Sequence, residues 1–355
     1  MLKIAILTLH RSINYGAVLQ AYALQTALNS LKDVDAYLLD YNPYRLYHGR
    51  NFIKSFIRTN SKINRCFVSF RKQYLRSLQN NLKKRDLKSI SKEYDILIAG
   101  SDQVWNMNIL RKDSSYLLDF AMQGVKKFSY AASIGPEDLV ETEFQNLLSK
   151  LEDFSTVSLR EPHWIPRIQS VLSKKNVRCD IDPVFLLNAD QWRAIARKPV
   201  RKPYVLFFTL NIKEQDVKTG HFAKRLAESQ KIDAVYLSNN NRWYRFLNMK
   251  HLGILNPLEF IGTIDNAEYV ITNSFHGTAF SIILHRPFFV DIPSGSWYPL
   301  GRIRNLLELT GLTDRVIENG KLKREPLPID WDDVDARLSG VIRSSKDYLK
   351  EIVVE

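Results

Sequence analysis

Short apolar runs alternate with longer amphipathic stretches along most of the chain. Ile4–Leu9 is an apolar run of strand length. After it, Ala17–Leu31 sets Leu19, Ala23, Leu24, Ala27, Leu28 and Leu31 on one side of a helix. Ala36–Asp40, Tyr94–Ala99, Lys127–Ala132 and Phe154–Leu159 read as further strands, with a helix over Val140–Leu151 between the last two. Strands this short and apolar, separated by helices, imply parallel sheet covered on both faces. The alternation restarts beyond Asp182–Leu187. There the pattern predicts strands at Tyr204–Leu210, Ala234–Ser238, Tyr269–Thr272 and Pro287–Val290, and helices at Asp216–Ser229, Pro257–Ile264 and Thr278–Leu284. The expected architecture is α/β and GT-B-like, with two doubly wound Rossmann-like domains facing a central cleft. Residues 1–186 are expected to form the first domain, with a basic helical insert at 44–92, and residues 187–330 the second. A helix over 331–355 crosses back to the first domain.

Composition narrows the class. At 355 residues the chain is long for one core and suits two. With 45% hydrophobic and 25% charged residues it is globular, not disordered. The two cysteines, Cys66 and Cys179, are expected to be buried small hydrophobes in a reducing compartment. The apolar start at Met1–His10 is too short for a signal peptide, and no stretch approaches the ~20 apolar residues of a membrane span, so a cytoplasmic protein is expected.

Charge is concentrated. Between Tyr44 and Lys92 there are fourteen Lys/Arg against Asp86 alone, which accounts for the whole formal net charge of +13. Phe52, Phe56, Phe67, Phe70 and Tyr74 interleave these cations, giving amphipathic helices with a cationic face. The segment suits an anionic membrane surface or an anionic acceptor, or else a helical hairpin packed on its own domain. No zinc-finger or RNP-type motif accompanies it, so nucleic acid is not expected as a partner.

Three loops carry candidate chemistry. Ser12–Ala17 joins the first strand to the first helix, where Asn14, Gly16 and the free N–H groups of the helix suit an anion; a plain strand-to-helix turn fits equally. Gly100–Asn106 presents Ser101, Asp102, Gln103 and Trp105 at a strand's carboxyl end. Asp102 is placed to accept a sugar hydroxyl proton or to cap its own turn, and Trp105 to stack on a sugar ring. Thr272–Thr278 ends a strand and opens a helix at Gly277–Thr278, with Ser274 and His276 in the turn, a setting for a histidine that donates to phosphate or carboxylate.

Together, Asn14–Ala17, Gly100–Trp105, Ser158–Glu161, Asp182–Val184 and Ser274–Gly277 occur in the order seen in polysaccharide pyruvyltransferases, and the chain resembles that family over roughly residues 1–310. The resemblance implies a GT-B-like fold and transfer of the pyruvyl group of phosphoenolpyruvate, a co-substrate and not a cofactor, onto a sugar as a ketal. It implies His276 as general acid or phosphate ligand and Asp102 as base. Asn14, Gly16, Ser101, Gln103, Trp105, Ser274, Gly277 and Thr278 become substrate contacts, and no metal is needed. Better-known members carry an arginine two residues before the histidine; Ser274 stands there in this chain, so Arg160, Arg302 and Arg304 are the expected donor clamps. The implied acceptor is a sugar of a surface polysaccharide, on a lipid-linked precursor at the inner membrane face. A nucleotide-sugar glycosyltransferase and a non-catalytic carbohydrate-binding protein of capsule assembly are the rival readings.

Overall fold

The computed structural model describes residues 1–41, 62–79, 81–110, 113–136, 138–198, 203–209, 214–238, 247–292, 301–318, 320–322 and 325–354. They divide into two compact units, Met1–Leu186 with Gly340–Glu355, and Leu187–Ser339.

In the first unit, β1 (Leu2–Leu7), β2 (Val34–Leu38), β3 (Ile96–Ala99), β4 (Lys126–Ser129), β5 (Thr156–Leu159) and β6 (Asn176–Cys179) form one sheet in the order β2-β1-β3-β4-β5-β6, every pair parallel. Its described helices are α1 (Tyr15–Asn29), α2 (Lys62–Tyr74), α3 (Lys84–Ser91), α4 (Met107–Leu110), α5 (Glu141–Leu151) and α6 (Trp164–Val171). The period-2 alternation of strand side chains builds two cores. Ile4, Ile6, Ile96 and Ile98 pack with Ala21, Leu24 and Leu28 of α1 on one face. Ala5, Leu7, Leu97 and Ala99 pack with Leu87, Ile90, Phe144, Leu148 and Trp164 of α3, α5 and α6 on the other. Because both faces are covered, Ile4–Leu7 of β1 and all of β3 are apolar without interruption, which is why they read as continuous runs.

Helix α2 lies along α1 through aromatic pairs. Phe67 meets Tyr15 with ring centroids 5.1 Å apart, and Phe70 meets Tyr22 at 6.2 Å. The apolar side of this part of the basic segment is therefore spent on its own unit, with Lys62, Arg65 and Lys72 exposed.

In the second unit, β7 (Tyr204–Phe208), β8 (Asp233–Leu237), β9 (Lys250–His251), β10 (Tyr269–Thr272), β11 (Phe288–Asp291), β12 (Val316–Glu318) and β13 (Lys321–Leu322) run in the order β13-β12-β11-β10-β7-β8-β9. All described pairs are parallel except β12 with β13. The helices are α7 (Ala189–Ile195), α8 (Glu214–Gln230), α9 (Pro257–Asp265), α10 (Phe275–Ile283), α11 (Gly301–Thr310) and α12 (Trp331–Val354). Ala223 and Ala227 of α8 cover Val205, Phe207 and Ile271 on one face. On the other, Phe260 of α9 packs edge-on against Phe208 at 4.9 Å and Phe280 of α10 at 6.0 Å. Helix α12 starts in the second unit and ends in the first, where Tyr348, Leu349 and Ile352 join the core under α1.

Helix starts differ from the apolar periodicity where polar caps decide them. Helix α1 begins at Tyr15, because Asn14 caps it, and α10 begins at Phe275, because Ser274 caps it. The expectation of two buried cysteines is corrected: both thiols are free, Cys66 half-buried on α2 and Cys179 exposed on the edge strand β6. Residues 44–61 of the expected insert, Leu210 and the loop Pro293–Tyr298 lie outside the described residues. Among the described residues, no helix is long and apolar enough to cross a membrane, and no group of His, Cys, Asp and Glu is arranged to hold a metal ion.

Candidate functional site

Strand order locates the ligand-binding ends of both sheets. In the first, the chain leaves β1 for β2 on one side and then reaches β3 on the other; in the second, β7 leads to β8 and later to β10 on its opposite flank. Open parallel sheets hold ligands at the carboxyl ends of strands where the order reverses in this way. Ser12–Ala17 follows β1, Gly100–Asn106 follows β3 and Asn273–Thr278 follows β10.

The first loop is organised by its cap. Asn14 Oδ1 accepts from the N–H of Gly16 at 2.9 Å and of Ala17 at 3.5 Å. The first turn of α1 contains no acidic residue, so the partial positive charge of the helix end is not neutralised by its own side chains. Buried Thr8 ties the loops together: its hydroxyl donates to Ser101 O at 2.8 Å and accepts from Gln20 Nε2 at 2.8 Å.

In the second loop, Asp102 stands in the left-handed region at φ 74, a conformation aspartate adopts more readily than most residues. Its Oδ1 accepts from Gln103 N–H at 2.9 Å, and its carbonyl from Ser133 N–H at 3.0 Å. The carboxylate is half-buried at the strand end. Ala131, which follows the adjacent strand β4, is also left-handed at φ 44 without aspartate's compensation, a strain of about 1–3 kcal/mol. Ser158 Oγ, accepting from Ala131 N–H at 2.8 Å, and Ser101 Oγ, donating to Ala131 O at 2.8 Å, hold it there.

Behind this loop the family-motif side chains are buried. The Arg160 guanidinium pairs with Asp182 at 2.6 Å, with side-chain exposures of 4% and 0%, and donates to Ser101 Oγ. Glu161 accepts from Ser133 Oγ and from Ile134 N–H. Three expectations are corrected here. Arg160 is not offered to a donor molecule, because its charge is committed to Asp182; Ser101 is fully buried and serves Ala131 and Arg160. Trp105 does not present its ring to a sugar: it is 1% exposed, packs edge-on against Phe154 at 5.8 Å and donates Nε1–H to Tyr116 O at 3.1 Å. Gln103 stays half-exposed, with Oε1 accepting from Asn106 Nδ2 at 2.7 Å.

In the second unit, His276 occupies the second position of α10, within the turn capped by Ser274, whose Oγ accepts from Gly277 N–H at 3.4 Å. Ser274 and Thr278, expected as substrate contacts, are buried, and Thr278 Oγ1 donates to Ser274 O at 3.1 Å; both side chains build the turn. Gly277 is required by packing: a Cβ there would lie 2.5 Å from Thr272 Oγ1 and 2.9 Å from the Phe208 ring. His276 is 8% exposed and meets Phe275 edge-on at 5.2 Å. Arg302 of α11 lies over the same Phe275 ring, 5.7 Å from its centroid, whereas Arg304 points to the exposed side of α11. The structure thus brings Arg302, not Arg304, to the turn that bears His276.

Sequence reasoning missed the support for this turn. Asn273 Nδ2 donates to buried Asp216 Oδ1 at 3.0 Å, fastening the end of β10 to α8. Asp291, at the end of β11, is pushed upward in pKa by burial and by the charge of Asp216, against a hydrogen bond from Thr219. Carboxylates closing predicted strands were the available signal.

Solved structures of similar fold include the UDP-GlcNAc 2-epimerase of Methanocaldococcus jannaschii, at TM-score 0.56 and 12% identity, covering 100% of this chain and 99% of that one. A UDP co-structure of S. aureus MnaA has TM-score 0.53 at 11% identity, covering 96% and 88%. The UDP-GlcNAc 2-epimerase of Neisseria meningitidis has 0.51 at 9%, covering 97% and 100%. Identities this low speak to fold alone, and the fold is α/β and GT-B-like. No curated protein sequence matches the chain. The polysaccharide pyruvyl transferase family matches residues 14–290, from the Asn14 cap through the Asp102 and His276 loops into β11. Over that span the chain belongs to the polysaccharide pyruvyl transferase family, and pyruvylation of polysaccharide, broadly taken, is its activity.

Proposed function

We propose that the chain moves the pyruvyl group of phosphoenolpyruvate onto two hydroxyls of a sugar in a surface polysaccharide or its lipid-linked precursor, forming a ketal. The observation that carries this reading is the His276 turn: a histidine in the first turn of a helix at the reversal point of the second sheet, with Arg302 beside it. A helix amino end, an imidazole and a guanidinium are the groups that hold a phosphate and a carboxylate.

In this scheme one proton reaches the methylene carbon of the enol phosphate, and a sugar hydroxyl attacks the resulting cationic carbon. The C–O bond to phosphate breaks, and the second hydroxyl closes the ring. Two hydroxyl protons are released; one replaces that given to the methyl group and the other leaves on phosphate. His276 serves as the acid or as the phosphate ligand, Asp102 as the base toward the acceptor hydroxyl, and Arg302 as the donor clamp. Arg160 acts at one remove, by fixing Ser101 beside Asp102. No metal or nucleotide enters the scheme.

Each positioned acid or base contributes about 10²–10⁴-fold. His276→Ala is expected to lower phosphate release from phosphoenolpyruvate in the presence of acceptor by that factor, and unchanged turnover would remove His276 from the chemistry. A nucleotide-sugar reading is kept in view by the likeness to a structure holding UDP-GlcNAc and UDP. Calorimetric titration with phosphoenolpyruvate against UDP-GlcNAc separates the two. The exposed cations of α2 further support peripheral, purely electrostatic contact with anionic membrane. Binding to anionic liposomes that survives high salt would refute that contact.

A further inference from the structure

The carboxyl half of α12 makes buried polar contacts that the reaction above does not use. Tyr348, Leu349 and Ile352 dock it by apolar packing, but Ser345, one turn earlier, sits among hydrogen-bonding groups. Ser345 Oγ accepts from Ile181 N–H at 3.2 Å and donates to Asp180 Oδ1 at 2.8 Å. The other carboxylate oxygen, Asp180 Oδ2, accepts from Ser158 Oγ at 2.6 Å. Ser158 has one hydroxyl proton and gives it to Asp180, so its oxygen faces Ala131 as an acceptor, and Ala131 N–H donates to it at 2.8 Å. Ser345, Asp180, Ser158 and Ala131 are each at most 1% exposed.

These contacts end on a strained residue. Ala131 stands at φ 44, in the left-handed region that a non-glycine residue keeps only where its surroundings hold it. Without an acceptor for its N–H it would relax toward ordinary backbone. The turn at Ser101 and Asp102 would move with it, because Ser101 Oγ donates to Ala131 O at 2.8 Å and Ser133 N–H donates to Asp102 O at 3.0 Å. The orientation of the Ser158 hydroxyl depends on Asp180: with no carboxylate to donate to, it is free to turn its proton elsewhere and cease accepting from Ala131. Arg178 keeps that carboxylate in place. Its Nε donates to Oδ2 at 2.8 Å and its Nη2 to Oδ1 at 3.1 Å, and Nη2 also donates to Ser344 O of α12 at 3.1 Å.

We propose that Asp180 and Ser345 are positioning residues for Asp102: Ser345 of α12 orients Asp180, Asp180 orients Ser158, and Ser158 holds Ala131 left-handed and so sets the turn that carries the Asp102 carboxylate. This rests on the reading that Asp102 is the base toward the sugar hydroxyl. The last helix of the chain then takes part in transfer at one remove.

The test compares Ser158→Ala, Ser345→Ala and Tyr348→Phe in the full chain. Tyr348→Phe removes another contact of the same helix, the 2.8 Å bond from Tyr348 Oη to Ser129 O, and leaves the Ser345–Asp180–Ser158 series intact. Phosphate release from phosphoenolpyruvate is followed with the cell's own surface polysaccharide, freed of ketals by mild acid, as acceptor. Amide hydrogen exchange is followed over residues 101–106 and 131–135. Ser158→Ala is expected to lower kcat by at least about tenfold and Ser345→Ala by about fivefold. Both should keep the KM for phosphoenolpyruvate within about twofold of wild type and speed exchange in both segments, while Tyr348→Phe keeps the wild-type kcat. A kcat within about twofold of wild type in either serine variant would overturn the proposal, and Ser345→Ala decides alone if Ser158→Ala does not fold. A KM for phosphoenolpyruvate that rises in step with the loss, or an equal loss of kcat in Tyr348→Phe, would mean general loosening and also overturn it. If the wild type releases no phosphate from phosphoenolpyruvate, the donor reading falls and exchange decides. Faster exchange over 101–106 in the serine variants but not in Tyr348→Phe sustains the positioning role, and exchange that is unchanged, or raised equally in all three, overturns it.

Discussion

Replacing Asp182 by asparagine should be one of the more damaging single changes in the first unit. The substitution keeps the side-chain shape and an acceptor for Val184 N–H, which lies 3.0 Å from Oδ1. It removes the charge facing Arg160, whose side chain is 4% exposed against 0% for Asp182. Breaking a pair this deeply buried typically costs about 3–5 kcal/mol, because one uncompensated charge stays behind. Arg160→Met should cost a similar amount, with roughly 1 kcal/mol more for the lost bond to Ser101 Oγ. The double variant Arg160→Met/Asp182→Asn buries no charge and should recover to within about 2 kcal/mol of wild type. Urea unfolding gives the stabilities, and hydrogen exchange over residues 101–106 and 131–135 shows whether loss of Arg160 loosens the Asp102 loop. If Asp182→Asn stayed within about 1 kcal/mol of wild type, or the double variant cost the sum of the singles, Arg160 would not be the strut described above.

Other changes test other links. Trp105→Phe should cost about 1 kcal/mol, from the lost hydrogen bond to Tyr116 O, and leave acceptor KM unchanged; a raised KM would restore Trp105 to the binding surface. Gly277→Ala forces its methyl against Thr272 and Phe208 and should destabilise by about 1–3 kcal/mol in thermal unfolding, with a fall in kcat as the His276 turn shifts. Asp40, coupled by hydrogen bonds to His10, Arg11 and the Asn81 N–H, has a folded-state pKa depressed below its unfolded value, so its contribution is complete above the ordinary carboxylate range and is lost as pH falls below about 4. Asp40→Asn should flatten that part of the acid-unfolding curve, and an unchanged curve would argue against the coupling.

The strands were legible because both faces of each sheet are covered, so Ile4–Leu7 and Ile96–Ala99 are apolar without interruption. Short edge elements were not: β9 and β13 are two residues each, too brief to carry a period. Helix ends were misread by the few residues that side-chain caps add, at Asn14 and Ser274. At the loops, residue type told the sequence reader where chemistry could occur but not which way a side chain points. Trp105 and Arg160 have the right chemistry for a sugar and an anion, yet both are turned inward, toward Tyr116 and Asp182. Burial of that kind depends on partners eleven and twenty-two residues away, which no local pattern specifies.

The last helix sets an order on biosynthesis. Tyr348, Leu349 and Ile352 complete the core beneath α1, and Tyr348 donates to Ser129 O at 2.8 Å. As the nascent chain emerges, the amino-terminal sheet can pair its strands, but that apolar floor stays open until residues 340–355 leave the ribosome. During translation the first unit is thus the last to be sealed, and its exposed underside is where a chaperone would bind in the interval.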